Sequence, residues 1–130
     1  MTIEIMVLGW GCILAFVHIF AAVGAKTRQY GRAWNAGARD EDMPPLNPVA
    51  GRLARAQANF FETFPIVIAA ILIVEVMQAN SAWSAAGALI WLAARIIYLP
   101  IYWAGIAYVR TGVFLVSVIG IAMILLPVLV

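Results

Sequence analysis

An all-α integral membrane protein, built as a bundle of four transmembrane helices, is the fold class this sequence predicts. Three observations carry it. Of 130 residues, 65% are hydrophobic and only 11% charged, against roughly 45–50% apolar and about 25% charged in soluble domains; mean hydropathy is +1.00. The apolar residues fall into four runs, each near the ~20 residues a helix needs to cross a ~30 Å hydrocarbon core. No segment shows the short apolar/polar alternation of barrel strands. The length fits one domain, residues 1–130. This composition excludes a disordered protein, a disulfide scaffold and a nucleic-acid-binding module. The pI is near 9.0, but the formal net charge is only +2. The single cysteine, Cys12, lies in an apolar run and has no internal partner.

The first span is expected over about 3–25. Glu4 precedes its apolar core, with no basic region ahead and no small-residue cleavage site behind. That reads as a retained helix, not a signal peptide. Residues 26–51 then form the one long connection. It holds Lys26, Arg28, Arg32 and Arg39, the acidic run Asp40-Glu41-Asp42, and Pro44, Pro45 and Pro48. The second span is expected over about 52–78, the third over 83–108 and the fourth over 112–130. A few polar residues around Asn80 separate the second and third, and Arg110-Thr111-Gly112 separates the third and fourth. Six of the eight basic residues lie between Lys26 and Arg55, and Arg110 lies in the third connection. By the positive-inside rule the 26–51 loop and the third connection are cytoplasmic, and both termini lie outside.

Ionisable groups within a span are costly and call for a partner or a task. The second span carries Arg52, Arg55, Asn59 and Glu62 at steps of three, four and three residues, hence on one helical face. The third carries Arg95, Tyr98 and Tyr102 at similar steps. The two stripes can meet in the cytoplasmic half, where Glu62 and Arg95 make an oppositely charged pair. Packing alone is one account of that pair, and snorkelling to headgroups is one account of Arg52 and Arg55. A surplus of arginine beside Asn and Tyr otherwise describes an anion site, because guanidinium binds carboxylate in bidentate fashion. His18, alone in the first span, reads as a packed residue, and Pro65 and Pro100 as tolerated kinks. No metal-ligand constellation is present.

The segment Arg52-Leu-Ala-Arg55-Ala-Gln57-Ala-Asn59-Phe-Phe-Glu62-Thr-Phe-Pro65 resembles the second-helix signature of the MAPEG family, the membrane-associated proteins in eicosanoid and glutathione metabolism. The resemblance continues through Arg95-Ile-Ile-Tyr98-Leu-Pro-Ile-Tyr102 to Arg110 and covers nearly the whole chain. It implies a homotrimer with active sites between subunits, towards the cytoplasmic side. Glutathione would be the thiol cosubstrate, and a lipophilic small molecule would enter from the membrane lipids. It further implies that Arg110 stabilises the glutathione thiolate. Arg52, Arg55, Asn59, Glu62, Arg95, Tyr98, Tyr102 and Thr111 are the candidate binding residues. No metal is implied. The compact chain looks like a bacterial member, which implies the inner membrane.

Two positions depart from the family pattern. Ala58 stands where a basic residue often precedes the Asn, and Phe114 where a tyrosine often follows the thiolate arginine. The expected function is a glutathione-dependent transferase or peroxidase acting on lipophilic electrophiles or lipid hydroperoxides. A non-catalytic lipid-binding or scaffold member is the alternative. A small four-helix exporter matches in length, but the first span offers only Glu4 at its edge and His18 for proton coupling.

Overall fold

The computed structural model describes residues 1–130 as five helices and no strands. In chain order they are α1 (Ile3–Tyr30), the short α2 (Arg32–Ala36), α3 (Pro48–Val76), α4 (Ala82–Ala104) and α5 (Ala107–Leu129). The four long ones are each long and apolar enough to cross a membrane.

Several boundaries differ from the sequence expectation, each for a local reason. α1 continues past residue 25 to Tyr30. At 1.5 Å per residue its 28 residues span about 42 Å, so its last polar turns stand beyond the hydrocarbon. The long connection is not all loop, since α2 occupies its first part. α3 begins at Pro48, not 52, because Asn47 accepts from the Ala50 amide at 2.8 Å and Pro48 occupies the first helical position. It ends at Val76, not 78. α4 stops at Ala104, not 108. Gly105, at φ 79°, takes the left-handed conformation there, and the Ile106 amide reaches back to the Ile101 carbonyl. α5 then starts at Ala107, so Arg110 and Thr111 lie in its opening turns and the third connection shrinks to Gly105-Ile106.

The packing is that of a membrane bundle. Large apolar side chains face outward: Phe20 is 67% exposed and Ile119 57%. The core lies between α1, α3 and α4, around Val7, Leu14, Phe60, Phe64, Val67, Ile71 and Trp91. Phe64 and Trp91 stack at 5.9 Å and Phe60 tilts against Phe64 at 4.9 Å. α4 and α5 approach most closely at Gly87 and Gly120. A Cβ on Gly120 would sit 2.7 Å from the Gly87 carbonyl oxygen, and one on Gly87 would sit 2.7 Å from that of Gly120. Small residues replace side-chain interdigitation with backbone contact where no water drives helices together.

A polar knot closes the end of the bundle remote from the long connection. Ser81 and Ser84 form a reciprocal capping box at the start of α4. The Ser84 hydroxyl donates at 2.5 Å to Glu4, whose side chain is buried. Thr2 caps α1 and donates from its hydroxyl to Glu75, which also accepts from the Asn80 amide at 2.8 Å. The opposite end is tied by Gln29 on α1. Its amide donates to the Pro45 carbonyl at 2.9 Å and accepts from the Asn47 N–H at 2.7 Å, while the Tyr30 hydroxyl donates to the Pro44 carbonyl.

Candidate functional site

The candidate residues sort into two adjoining groups and two outliers. Arg52, Arg55, Tyr102 and Arg110 line a cleft of about 230 Å³ with Gly105, Ile106 and Ala107. It lies where the first turns of α3 meet the junction of α4 and α5. Three guanidinium groups face it and no carboxylate does. The Arg110 guanidinium stands over the Tyr102 ring at 4.7 Å, an arrangement that favours the cation. Tyr102 in turn meets Tyr98 edge-on at 5.5 Å. The departure at Phe114 takes effect here, for its ring packs on Tyr98 at 6.4 Å and brings no hydroxyl.

Deeper in the bundle, Arg95 is wholly buried on α4. Its Nη1 donates to the Asn59 side-chain oxygen at 2.8 Å, and its guanidinium lies 4.4 Å from the Tyr98 ring centroid. The expected Glu62–Arg95 pair is therefore corrected. Glu62 is exposed on the outer face of α3, while Asn59, one turn earlier, takes the inner position and the hydrogen bond. The step of three residues carries Glu62 around the helix away from α4. Thr111 is exposed and stands outside the cleft lining.

Gly105, absent from the sequence candidates, shapes the cleft. It terminates α4, and the Arg52 side chain passes directly over it. A Cβ there would meet Arg52 Nη1 at 2.6 Å. A glycine just beyond a helical run is a recognised stop signal; here the apolar residues on both sides hid it. Gly105→Ala is expected to lower stability by about 1–2 kcal/mol, the cost of a left-handed L-residue, and to push Arg52 out of the cleft. Thermal unfolding in detergent checks this. Gly105→Asn, whose side chain tolerates that backbone region, is expected to lose less. Equal losses would place the cost in the collision with Arg52 instead.

A separate apolar groove of about 720 Å³ runs between α1, α3 and α4, lined by Phe20, Gly24, Leu53, Leu99 and Trp103 among others, with Arg28 at its rim. No three His, Cys, Asp or Glu side chains gather as a metal-ligand set. With this geometry in hand, comparison with protein families finds that the model described as the MAPEG family matches residues 7–130. Comparison with curated proteins and with solved structures returns no match.

Proposed function

The chain belongs to the MAPEG family, and from that premise we propose that it is a glutathione-dependent transferase or peroxidase acting on lipophilic electrophiles or lipid hydroperoxides. The family holds both glutathione-using enzymes and non-catalytic members. The observation that carries the catalytic reading is the acid-free cleft of Arg52, Arg55 and Arg110 beside Tyr102.

Glutathione offers two carboxylates, one ammonium and one thiol. Arg52 and Arg55 suit the carboxylates, with Asn59, Arg95, Tyr98 and Thr111 as further binding residues. Glu62, free of Arg95, suits the ammonium. Arg110 takes the thiol. A free cysteine thiol has a pKa of about 8.5, and an adjacent guanidinium raises the thiolate fraction at neutral pH. The proton leaves to solvent. The sulfur then forms a bond to an electrophilic carbon, whose leaving group departs with the bonding pair. With a hydroperoxide the sulfur attacks the terminal oxygen: an S–O bond forms, the O–O bond breaks, and the alkoxide takes a proton from solvent and leaves as the alcohol. A second glutathione thiol then forms the disulfide and releases water.

A homotrimer belongs to this reading. Glu62 lies fourteen residues into α3, about 21 Å along its axis, yet it is exposed in the single chain. A carboxylate facing hydrocarbon at that depth is costly, and a neighbouring copy removes the cost. The cleft alone, at about 230 Å³, is also smaller than the roughly 300–1,000 Å³ of ligand pockets, as one wall of a shared site would be. Placement in a bacterial inner membrane, with the long connection cytoplasmic, completes the proposal.

The test is a rapid-mixing ultraviolet difference spectrum of purified protein with glutathione at neutral pH. Thiolate absorbance that saturates with glutathione is the expected result. Its absence at millimolar glutathione, with folded protein, would overturn the catalytic reading. The lipid-binding or scaffold alternative, which the missing hydroxyl at Phe114 favours, would then stand.

A further inference from the structure

The middle of the bundle holds more buried polar atoms than its hydrogen bonds account for. His18, Trp91 and Arg95 are 1%, 0% and 0% exposed. Both ring nitrogens of His18, Nε1 of Trp91, and Nε and Nη2 of Arg95 have no partner within the protein. All three side chains surround one ring. His18 stacks on Phe60 at 4.6 Å, the Arg95 guanidinium lies 5.3 Å from the same centroid, and Trp91 lies at 6.2 Å.

An unsatisfied buried polar group costs about 1–3 kcal/mol, and more when it is charged. Five such atoms in one layer would outweigh most of what a small bundle gains by folding. Most helical carbonyls nearby are engaged in the helices' own ladders. Asn59 has given its oxygen to Nη1 of Arg95. A neutral imidazole carries one donor and one acceptor, so His18 brings a further lone pair to the layer. Ala15, Ala22 and Ala94, all small and buried, flank the layer. Enclosed water bonding to several otherwise unpaired groups is the usual resolution of such an arrangement.

We propose that this layer is a hydrated polar core: water enclosed between α1, α3 and α4 bridges His18, the Trp91 N–H and the free donors of Arg95. His18 is thereby a positioning residue that keeps the Arg95 guanidinium turned towards Asn59. The hydration stands on burial and unpaired donors alone; its effect on ligand binding rests on the proposed glutathione reading.

The chain has a single histidine, so selective ¹⁵N-histidine labelling reports residue 18 without ambiguity. In full-length protein in bilayers, solid-state NMR magnetisation transfer from water to the imidazole nitrogens is expected at short mixing times, from a neutral ring whose acceptor nitrogen is hydrogen-bonded. A ring that receives no magnetisation from water, or whose acceptor nitrogen is free, overturns the hydrated core whatever glutathione does. For the positioning role, His18→Leu is expected to raise KM for glutathione about tenfold, the effect of one hydrogen bond of about 1.4 kcal/mol, with kcat unchanged. His18→Gln, which keeps a donor and an acceptor, is expected to restore most of it. Equal losses in both variants overturn that role. A hydrated ring in a protein that binds no glutathione supports the core and removes only the catalytic reading.

Discussion

Arg110→Ala is expected to lower glutathione conjugation by about two orders of magnitude, the usual cost of removing one preorganised group facing a developing or resident negative charge. The folded assembly should survive, because Arg110 is only half-buried, in the opening turns of α5, and caps no helix. Its guanidinium lines the cleft and rests on Tyr102. Without it, Arg52 and Arg55 still present two cations for carboxylates, so glutathione affinity should fall less than turnover does. The thiolate absorbance should vanish while calorimetric binding persists in weakened form. Arg110→Lys keeps the charge but loses the planar fork and the stacking, and an intermediate rate is expected. Conjugation unchanged in Arg110→Ala would remove this residue from the chemistry.

Gly120→Ala is the substitution expected to damage the bundle most for its size. The added carbon would meet the Gly87 carbonyl oxygen at 2.7 Å and the Trp91 amide nitrogen at 2.8 Å. Both are backbone atoms, so neither can rotate aside and the two helices must separate. Overpacking of this kind costs about 1–3 kcal/mol, read as a lower melting temperature in detergent or bilayers. The displaced contact lies beside Trp91, so the Phe64–Trp91 stack should loosen with it and tryptophan fluorescence should change. Gly87→Ala pushes on the same interface from the other side, against Met123 Cβ at 2.6 Å. Because one separation relieves both collisions, the double variant should lose less than the two single losses combined. Additive losses would mean that the two glycines answer to different contacts.

The membrane character and the four long helices were legible because apolar run length registers the cost of burying backbone in lipid. The helix ends were not, because they obey different physics. Lys26 to Tyr30 are polar, yet they continue α1 as helix outside the hydrocarbon, where hydropathy has nothing to report. Asn47-Pro48 was a readable start signal, obscured by the neighbouring Pro44 and Pro45. At Gly105 apolar residues run on through Ile106 and Tyr108, so only the glycine marks the break, and hydropathy by itself assigns Arg110 to a connection instead of a helix. The spacing of Arg52, Arg55, Asn59 and Glu62 located one face of α3 but not its rotation. A rotation of about 60° decides between Asn59 and Glu62 as the neighbour of Arg95, and both choices fit the periodicity. His18 carried no sequence signal beyond being alone; its company of Trp91 and Arg95 arises only when three distant segments pack.

The Gln29 side chain, bonded on one edge to Pro45 and on the other to Asn47, fastens the return of the chain to the last turn of α1 before α3 begins. The span from Asp40 to Met43, past the tie of Arg39 to Asn35, is thus a slack bight behind a closed buckle. Its contour length is uncoupled from where α3 starts. Lengthening it costs closure entropy that grows only as the logarithm of its size, and the cleft does not feel the change. The bundle accordingly has one site where a foreign peptide or a whole reporter domain can be carried on the polar side of the membrane without altering the register of a single helix.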